Sequence, residues 1–185
     1  MIDVNTLRKG VTFEIDNNLF KVLDYTHHKP GRGKATIRTK VRNLRTGATI
    51  EMTFNSSDRV QDADLDYHNV QYLYSDGSMY HFMDLDTYEQ HALRAEMVED
   101  VKFYLIENME VKLTFYGKEP LDIDIPLTVD QEIVEAEPAV RGDTATGLMI
   151  KVVTETGLEL QTPSFIKSGD RIRIDTRTGT YVTRM

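Results

Sequence analysis

The sequence predicts an all-β protein made of three small barrels, and two features of the chain indicate this class. Many short runs of β-branched and aromatic residues follow one another closely, and turn pairs such as Asp-Gly and Thr-Gly separate them. This spacing is typical of small barrels rather than of a parallel sheet. The charge also changes sign sharply along the 185 residues, which indicates separate modules.

The charge distribution guides the division into domains. The net charge is +4 over residues 1–62, −10 over 63–128 and −2 over 129–185. We therefore expect the N-terminal module to bind anions, whereas phosphate should repel the acidic middle module, which either faces away from nucleic acid or meets basic protein. The predicted domains are 1–63, 64–127 and 128–185.

The N-terminal module is predicted to be a compact sheet or a small barrel. Residues 16–18 suit a tight turn, and Gly47 suits another. The stretches 55–58 and 61–64 look like connecting sequence. The predicted strands are 11–16, 19–26, 35–43 and 48–54.

The middle module is predicted to combine strands with short helices. Asp76-Gly77 marks a hairpin turn. Asp86 and Glu89 fit a capping box for a short helix that ends at Leu93, and residues 95–104 are compatible with another helical turn. The predicted strands are 69–74, 78–83, 110–116 and 121–125.

The C-terminal module is predicted to consist of short strands joined by glycine-containing turns. Its loop at 141–147 has glycines at 142 and 147, and small residues let a backbone approach RNA closely. Asp143 can accept hydrogen bonds from base amino or ribose hydroxyl groups, although a loop without any partner is an equally open interpretation. The predicted strands are 127–136, 149–154, 158–161, 171–175 and 180–183.

The stretch 27–34 is the most distinctive part of the sequence. It connects two predicted strands with about eight residues, and connections this long are more often functional than simple reversals. Pro30 restricts the backbone, while Gly31 and Gly33 on either side of Arg32 can adopt angles closed to other residues. The sequence therefore predicts a projecting tip that presents one long cation.

Cations continue along the strand that follows the tip. Residues 27–45 contain seven Lys and Arg residues and no acidic one. Because neighbouring side chains on a strand point to opposite faces, the alternating cations should share one face, which suits a polyanion. A solvated strand without a partner is the other interpretation. The cations of this predicted basic strand face are Arg38, Lys40 and Arg42.

Several kinds of chemistry find no support in the sequence. It has no cysteine, which excludes disulfides and thiol catalysis, and no apolar run approaches the length of a membrane span. Gly33-Lys34 lacks the other residues of a P-loop, and the five histidines lack zinc-site spacing. The N-terminus also lacks the features of a secretory signal. We therefore predict a cytoplasmic protein that is not an enzyme and needs no cofactor or metal.

In the order and spacing of many short motifs, the chain resembles the bacterial elongation factor P family over nearly its whole length. Residues 148–151 depart from the Lys-Pro pair that is usual in that family. The motifs are Lys-Pro-Gly-Arg-Gly (29–33), Arg-Thr-Lys (38–40), Gln-Tyr-Leu-Tyr (71–74), Asp-Gly (76–77), Phe-Met-Asp (82–84), Thr-Tyr-Glu-Gln (87–90), Gly-Asp-Thr-Ala-Thr-Gly (142–147), Glu-Thr-Gly (155–157) and Asp-Thr-Arg-Thr-Gly (175–179) with Tyr181, Val182 and Arg184.

The resemblance implies an N-terminal SH3-like (KOW-type) barrel followed by two OB-type barrels. It implies a factor that binds ribosomes stalled on consecutive prolines, between the peptidyl and exit tRNA sites, and promotes peptide-bond formation. The tip would reach the CCA end of the peptidyl-tRNA, and the last barrel would contact RNA towards the small subunit. The implied tip residues are Lys29, Pro30, Gly31, Arg32, Gly33 and Lys34, and the implied contacts of the last barrel are Gly142, Asp143, Thr144, Tyr181 and Arg184.

The implied partners are both ribosomal subunits, the peptidyl-tRNA and an enzyme that modifies the tip, and we expect a monomer that does not bind membranes. In many relatives the tip residue is an enzymatically extended lysine or a rhamnosylated arginine. Arg32 lies here in a different setting, Pro-Gly-Arg-Gly-Lys, so modified and unmodified Arg32 both stay open.

Two other interpretations stay open. A generic single-stranded RNA-binding barrel protein would use exposed aromatic residues as stacking platforms. An enzyme with an unrecognised site would lose turnover when His27 or Asp84 is replaced.

Overall fold

The computed structural model describes residues 1–29, 31, 33, 35–138 and 147–185. The described chain contains sixteen strands in three sheets and only short 3₁₀ turns besides, which confirms the all-β prediction. It divides into two compact units. The first comprises residues 1–68 and 113–122, and the second comprises 69–112 and 123–185.

The first sheet has six strands in the order β1-β6-β2-β3-β4-β5. The turn between β2 and β3 falls where the sequence predicts it. Asp16 and Asn17 both have positive φ, 49° and 62°, which is the geometry of a tight hairpin turn that keeps the strands twisted correctly. The strands are β1 (Ile2–Asp3), β2 (Thr12–Ile15), β3 (Asn18–His28), β4 (Thr36–Asn43), β5 (Thr49–Asn55) and β6 (Arg59–Asp62).

Strand β6 corrects the expectation that residues 61–64 are connecting sequence, because residues 61 and 62 belong to it, and β1 was not predicted from the sequence. β6 pairs with β2 through Phe13 and Asp62, and it pairs with β1 through Val60 and Ile2. Three of its four residues are polar and have low strand propensity, so its partners rather than its own composition make it a strand. Its single buried side chain, Val60, joins a core with seven other buried residues: Val4, Leu7, Phe13, Phe20, Val22, Ile37 and Val41.

The second sheet has five strands in the order β11-β10-β7-β8-β9. The two predicted hairpins are present, and the helical turn expected within residues 95–104 appears as 3₁₀ turns at Ala95–Met97 and Lys102–Tyr104. The strands are β7 (Asp66–Ser75), β8 (Met79–Asp84), β9 (Gln90–Arg94), β10 (Glu110–Tyr116) and β11 (Glu119–Asp124).

The helix predicted from Asp86 to Leu93 is wrong, because that stretch is a tight turn followed by β9. The carboxylate that caps the turn belongs to the buried Asp84, whose Oδ1 accepts hydrogen bonds from the backbone N–H groups of Asp86 and Thr87. Tyr88 has a φ of 61°, which reverses the chain. A helix this short is marginal by itself, whereas pairing of Gln90 with Met83 gives the segment a strand partner.

The third sheet has five strands in the order β14-β13-β12-β15-β16. Its core is aliphatic, and Tyr104 from the second 3₁₀ turn packs against that core. The buried Gln131 donates a hydrogen bond of 2.8 Å to the carbonyl of Phe103 and accepts one of 3.0 Å from the Thr156 hydroxyl, so the amide has partners within the second unit. The strands are β12 (Thr128–Ala136), β13 (Met149–Thr154), β14 (Glu159–Pro163), β15 (Arg171–Asp175) and β16 (Thr180–Arg184).

Among the described residues, no helix is long and apolar enough to cross a membrane.

Substitution of Thr162 by Val should stabilise the second unit. The Thr162 hydroxyl is buried without a hydrogen-bond partner among the described residues. An unpaired buried hydroxyl costs about 1–3 kcal/mol, so we expect the free energy of unfolding to rise by about 1 kcal/mol. Urea denaturation of the full chain measures this change.

Thr154→Val is the matched control, because it is the same substitution at a buried threonine of the same sheet whose hydroxyl has partners. The Thr154 hydroxyl accepts from the backbone N–H of Leu158 and bonds the Thr156 hydroxyl. We expect a loss of about 1 kcal/mol there. Equal effects of the two substitutions would contradict the difference in hydrogen bonding.

The turn after β15 should make stability sensitive to acid. Hydrogen bonds from the Arg177 side chain and backbone N–H lower the pKa of Asp175 to about 2. The resulting stability is complete above the ordinary pKa of an aspartate, near 4, and is lost as the pH falls towards 2. We expect Asp175→Asn and Arg177→Met each to flatten the fall in urea midpoint over this range, and an unchanged slope would contradict the assignment.

Candidate nucleic-acid interface

The hairpin of β3 and β4 carries the predicted tip. The strands stay paired almost to the connection, since Thr26 lies opposite Arg38 and His28 lies opposite Thr36. Residues 29–35 therefore join the ends of a fully paired ribbon. A β-bulge between Val22 and Asp24 shifts the register of the two strands by one residue, and such bulges commonly bend a strand.

Three tip residues, Lys29, Gly31 and Gly33, lie within the described chain, and all three are exposed. Gly33 has a φ of 131°, a backbone conformation that other residues rarely adopt, so a glycine is required there. The remaining tip residues predicted from the sequence, Pro30, Arg32 and Lys34, lie outside the described residues.

The burial pattern of β4 confirms the predicted alternation. Ile37, Thr39 and Val41 are buried, whereas Arg38 and Lys40 are exposed and Arg42 is half-buried. The role of this face in binding stays a prediction, but the three cations have clearly different surroundings.

Lys40 and Arg42 both have charged cross-strand neighbours. Lys40 lies between Asp24 on β3 and Glu51 on β5. Arg42 lies opposite Lys21, whose ammonium is 2.6 Å from an Asp122 carboxylate oxygen. Opposite charges directly across a strand pair attract, so the acidic residues lower the positive potential around Lys40, although no ion pair joins Lys40 to either of them in the described part of the chain.

Arg38 has no acidic cross-strand neighbour. It lies between Thr26 on β3 and Thr53 on β5, and no ion pair joins it to another residue in the described part of the chain. Sequence reasoning treated the three cations alike, because Asp24 and Glu51 fall outside the basic stretch. Only the strand register places them beside Lys40.

A pocket of about 290 Å³ opens beside Arg38 at the tip end of the hairpin. Two cross-strand pairs line it, and together they provide a guanidinium, an imidazole and two hydroxyls. Sequence reasoning missed this pocket, although spacing of two residues on each strand was a usable signal for a shared face. Among the residues that the structure describes, its lining consists of Thr26, His28, Thr36 and Arg38.

The last sheet brings two of its predicted contact residues onto one strand. Tyr181 and Arg184 both lie on β16, where Tyr181 packs partly against the core and Arg184 is exposed. The Arg184 guanidinium lies 5.6 Å from the centre of the exposed Phe165 ring, which makes a cation–π contact. The other predicted contacts, Gly142, Asp143 and Thr144, lie outside the described residues.

The departure at residues 148–151 does not interrupt the sheet. Ile150 is buried in the core of the third sheet, and the Lys151 ammonium lies 2.7 Å from a Glu159 carboxylate oxygen on the paired strand. Asp84, considered for an enzyme site, is occupied in capping the turn before β9.

Family models match the chain along almost its full length. The model described as Elongation factor P (EF-P) KOW-like domain matches residues 3–60, and the one described as Elongation factor P (EF-P) OB domain matches 65–123. The model described as Elongation factor P, C-terminal matches 129–184.

Full-length relatives and a solved structure agree with these matches. Proteins named elongation factor P from Thermoanaerobacter and Thermotoga maritima are 48% and 47% identical to this chain, and the matches cover 100% of each sequence. A structure titled eukaryotic translation initiation factor 5A from Methanococcus jannaschii is 25% identical with a TM-score of 0.50, and the match covers 67% of this chain and 93% of that one. The chain therefore belongs to the bacterial elongation factor P family of translation elongation factors.

Proposed function

We propose that this factor binds ribosomes stalled on consecutive prolines, between the peptidyl and exit tRNA sites, and promotes peptide-bond formation. Membership of the elongation factor P family supports the role in elongation. The proposed role of the tip is supported by one observation. The paired strands β3 and β4 lead to the exposed Lys29, Gly31 and Gly33. The cytoplasm, where ribosomes translate, is the proposed place of action.

The proposed target of the tip is the CCA end of the peptidyl-tRNA. Prolyl groups react slowly because the ring restricts their geometry and the secondary amine is hindered. A factor that holds the CCA end in a reactive pose lowers the entropic part of the barrier, and no group of the factor has to react. In this proposal Arg32 makes the terminal contact, and Lys29 and Lys34 hold phosphates beside it.

Electrostatic attraction supports binding along the hairpin. Cations on β4 and in the tip would neutralise RNA phosphates and release counterions, so binding should weaken as the salt concentration rises. The last sheet would contribute a second contact towards the small subunit, through the loop with Gly142, Asp143 and Thr144 and through Tyr181 and Arg184. The exposed Arg184 next to Phe165 offers a charged and a stacking surface together.

Arg32→Ala should abolish most of the rate gain on a proline template. In a reconstituted translation system programmed with a Pro-Pro-Pro message, we expect the rate of peptide formation to fall at least about tenfold towards the rate without factor, since a charged hydrogen bond at the reacting end contributes on the order of 1.5–3 kcal/mol. A message without consecutive prolines should show no difference between the two proteins.

Arg59→Ala is the matched control, because it removes an exposed arginine of the same unit from β6. We expect it to retain the wild-type rate. An unchanged peptide yield with Arg32→Ala would reject the tip's role, whereas an equal loss with both variants would indicate a general loss of positive charge.

The mass of the native protein should show whether Arg32 carries a modification. A mass equal to that of the sequence means that the unmodified guanidinium acts directly. A larger mass that peptide fragmentation places on Arg32 means that a tip-modifying enzyme is a partner of this chain. A modification on any other residue would contradict the assignment of Arg32 as the tip residue.

A further inference from the structure

We propose that the pocket lined by Thr26, His28, Thr36 and Arg38 is a binding site for one sugar-phosphate unit of RNA. The choice of RNA as ligand rests on the proposed function, whereas the anion chemistry of the pocket does not. In this assignment Arg38 is the specific contact of the basic strand face, and Lys40 and Arg42 provide only general attraction.

The strand register builds this pocket. Thr26 pairs with Arg38 and His28 pairs with Thr36, so the four residues form a block of two by two on one face of the hairpin. Directly paired residues in an antiparallel sheet have Cβ atoms about 5 Å apart. Four polar side chains are thereby held together by backbone hydrogen bonds rather than by their own contacts.

The charge pattern singles out Arg38. The neighbours of Lys40 across both strands are acidic, and Arg42 lies opposite a lysine that pairs with Asp122. Both residues directly opposite Arg38 are threonines, which bring no negative charge and add hydroxyl groups beside it. Arg38 therefore combines exposure, a place in the pocket lining and the lack of an acidic residue directly opposite, so an approaching anion can pair with it there.

The chemistry of the lining fits a phosphate joined to a ribose. A guanidinium donates two parallel hydrogen bonds to phosphate oxygens, which a lysine ammonium cannot do. Threonine hydroxyls can donate to a phosphate oxygen or exchange hydrogen bonds with a ribose 2′-hydroxyl. A volume of about 290 Å³ is several times the roughly 30 Å³ that one water occupies in the liquid, so the pocket has room for more than a phosphate alone.

The position of the pocket gives it a role in the proposed function. His28 and Thr36 are the last paired residues before the tip connection, so a sugar-phosphate bound here lies next to whatever the tip contacts. A single anchored phosphate at this point would fix the position of the RNA backbone relative to the ends of β3 and β4, from which the tip extends. We infer that the pocket sets the register of the tip on its RNA.

Nuclear magnetic resonance of the isotope-labelled full chain tests the site directly. The probes are the ribotrinucleotide CpCpA, the same deoxyribotrinucleotide and inorganic phosphate, each titrated into the millimolar range. We expect the amide signals of the four lining residues to shift most, with the ribonucleotide binding several-fold more tightly than the other two. Equal affinity for inorganic phosphate and CpCpA would contradict the sugar-phosphate assignment and indicate a simple anion pocket. Signal shifts spread evenly over the basic face would also contradict the proposal.

Three variants separate a shaped pocket from general attraction. Arg38→Ala should weaken CpCpA binding roughly tenfold and reduce the slope of log affinity against log salt by about 0.7. Arg38→Lys should retain the slope but lose part of the affinity, because the two parallel bonds are gone. Thr36→Val removes a hydroxyl without changing charge, so it should weaken binding roughly threefold to tenfold and leave the slope unchanged.

Lys40→Ala is the matched control, since it removes one cation from the next outward position of the same strand. We expect it to weaken CpCpA binding less than about threefold, because Lys40 does not line the pocket and acidic residues lie directly opposite it on both strands. Equal losses with Arg38→Ala and Lys40→Ala, or wild-type affinity of Thr36→Val, would overturn the proposal.

The translation assay distinguishes failure of this inference from failure of the proposed function. If the pocket sets the register of the tip, Arg38→Ala should raise the factor concentration that gives half-maximal stimulation on the Pro-Pro-Pro message and also lower the maximal rate. If Arg32→Ala leaves the rate on the Pro-Pro-Pro message unchanged while CpCpA still binds at these four residues, the proposed tip role is rejected. The pocket is then supported as an RNA-binding site.

Discussion

The register of the β3-β4-β5 ribbon controls which charges lie side by side on the basic face. In an antiparallel sheet each outward side chain has fixed neighbours on the adjacent strands, so a shift of one residue would move every side chain to the other face. Here the buried Ile37 and Val41 hold that register from within the core. Hydrophobic packing on one side of β4 thereby fixes the electrostatics of the other side.

The same principle extends to the acidic part of the chain. Asp122 on β11 belongs to the first compact unit, and its carboxylate neutralises Lys21 beside Arg42. The Leu121 side chain packs with Leu19 and Leu44 in a small buried cluster, so an apolar contact positions the neighbouring carboxylate. Residues from the acidic stretch therefore limit the extent of positive charge on the N-terminal sheet rather than only carrying negative charge of their own.

Side-chain periodicity made much of this fold predictable. A strand that buries one face must alternate apolar and polar residues, and β4, β10, β13 and β15 therefore appear in the sequence at nearly their true bounds. β1 and β6 are too short and polar to carry that signal, because their strand state comes from partners distant in sequence. The capping-box pattern at Asp86 and Glu89 misled for a related reason. The capping box is a signal within one segment, whereas the structure of residues 90–94 depends on pairing with β8, which makes them a strand.

The candidate site was predictable only in outline. Composition located the basic stretch and the glycines of the tip, since both are local properties. The contrast between Arg38 and Lys40 was not accessible, because it depends on Asp24 and Glu51, which only the sheet brings to the same face. The pocket was hidden for the same reason: two halves of its lining lie on different strands.

The net charge of −8 bears directly on the proposed contact with RNA. Attraction to phosphate backbones is not sequence-specific, and a chain that is basic all over would bind any exposed RNA. An acidic chain repels RNA over most of its surface, so the proposed contacts are favoured where a cation such as Arg38 has no acidic residue directly opposite. Arg38 lies between Thr26 and Thr53 near the tip end of the β3-β4-β5 ribbon, so it offers a cation where backbone hydrogen bonds hold the geometry. In the proposed function, weak attraction between RNA and the rest of the acidic surface would favour one position of the tip on its RNA.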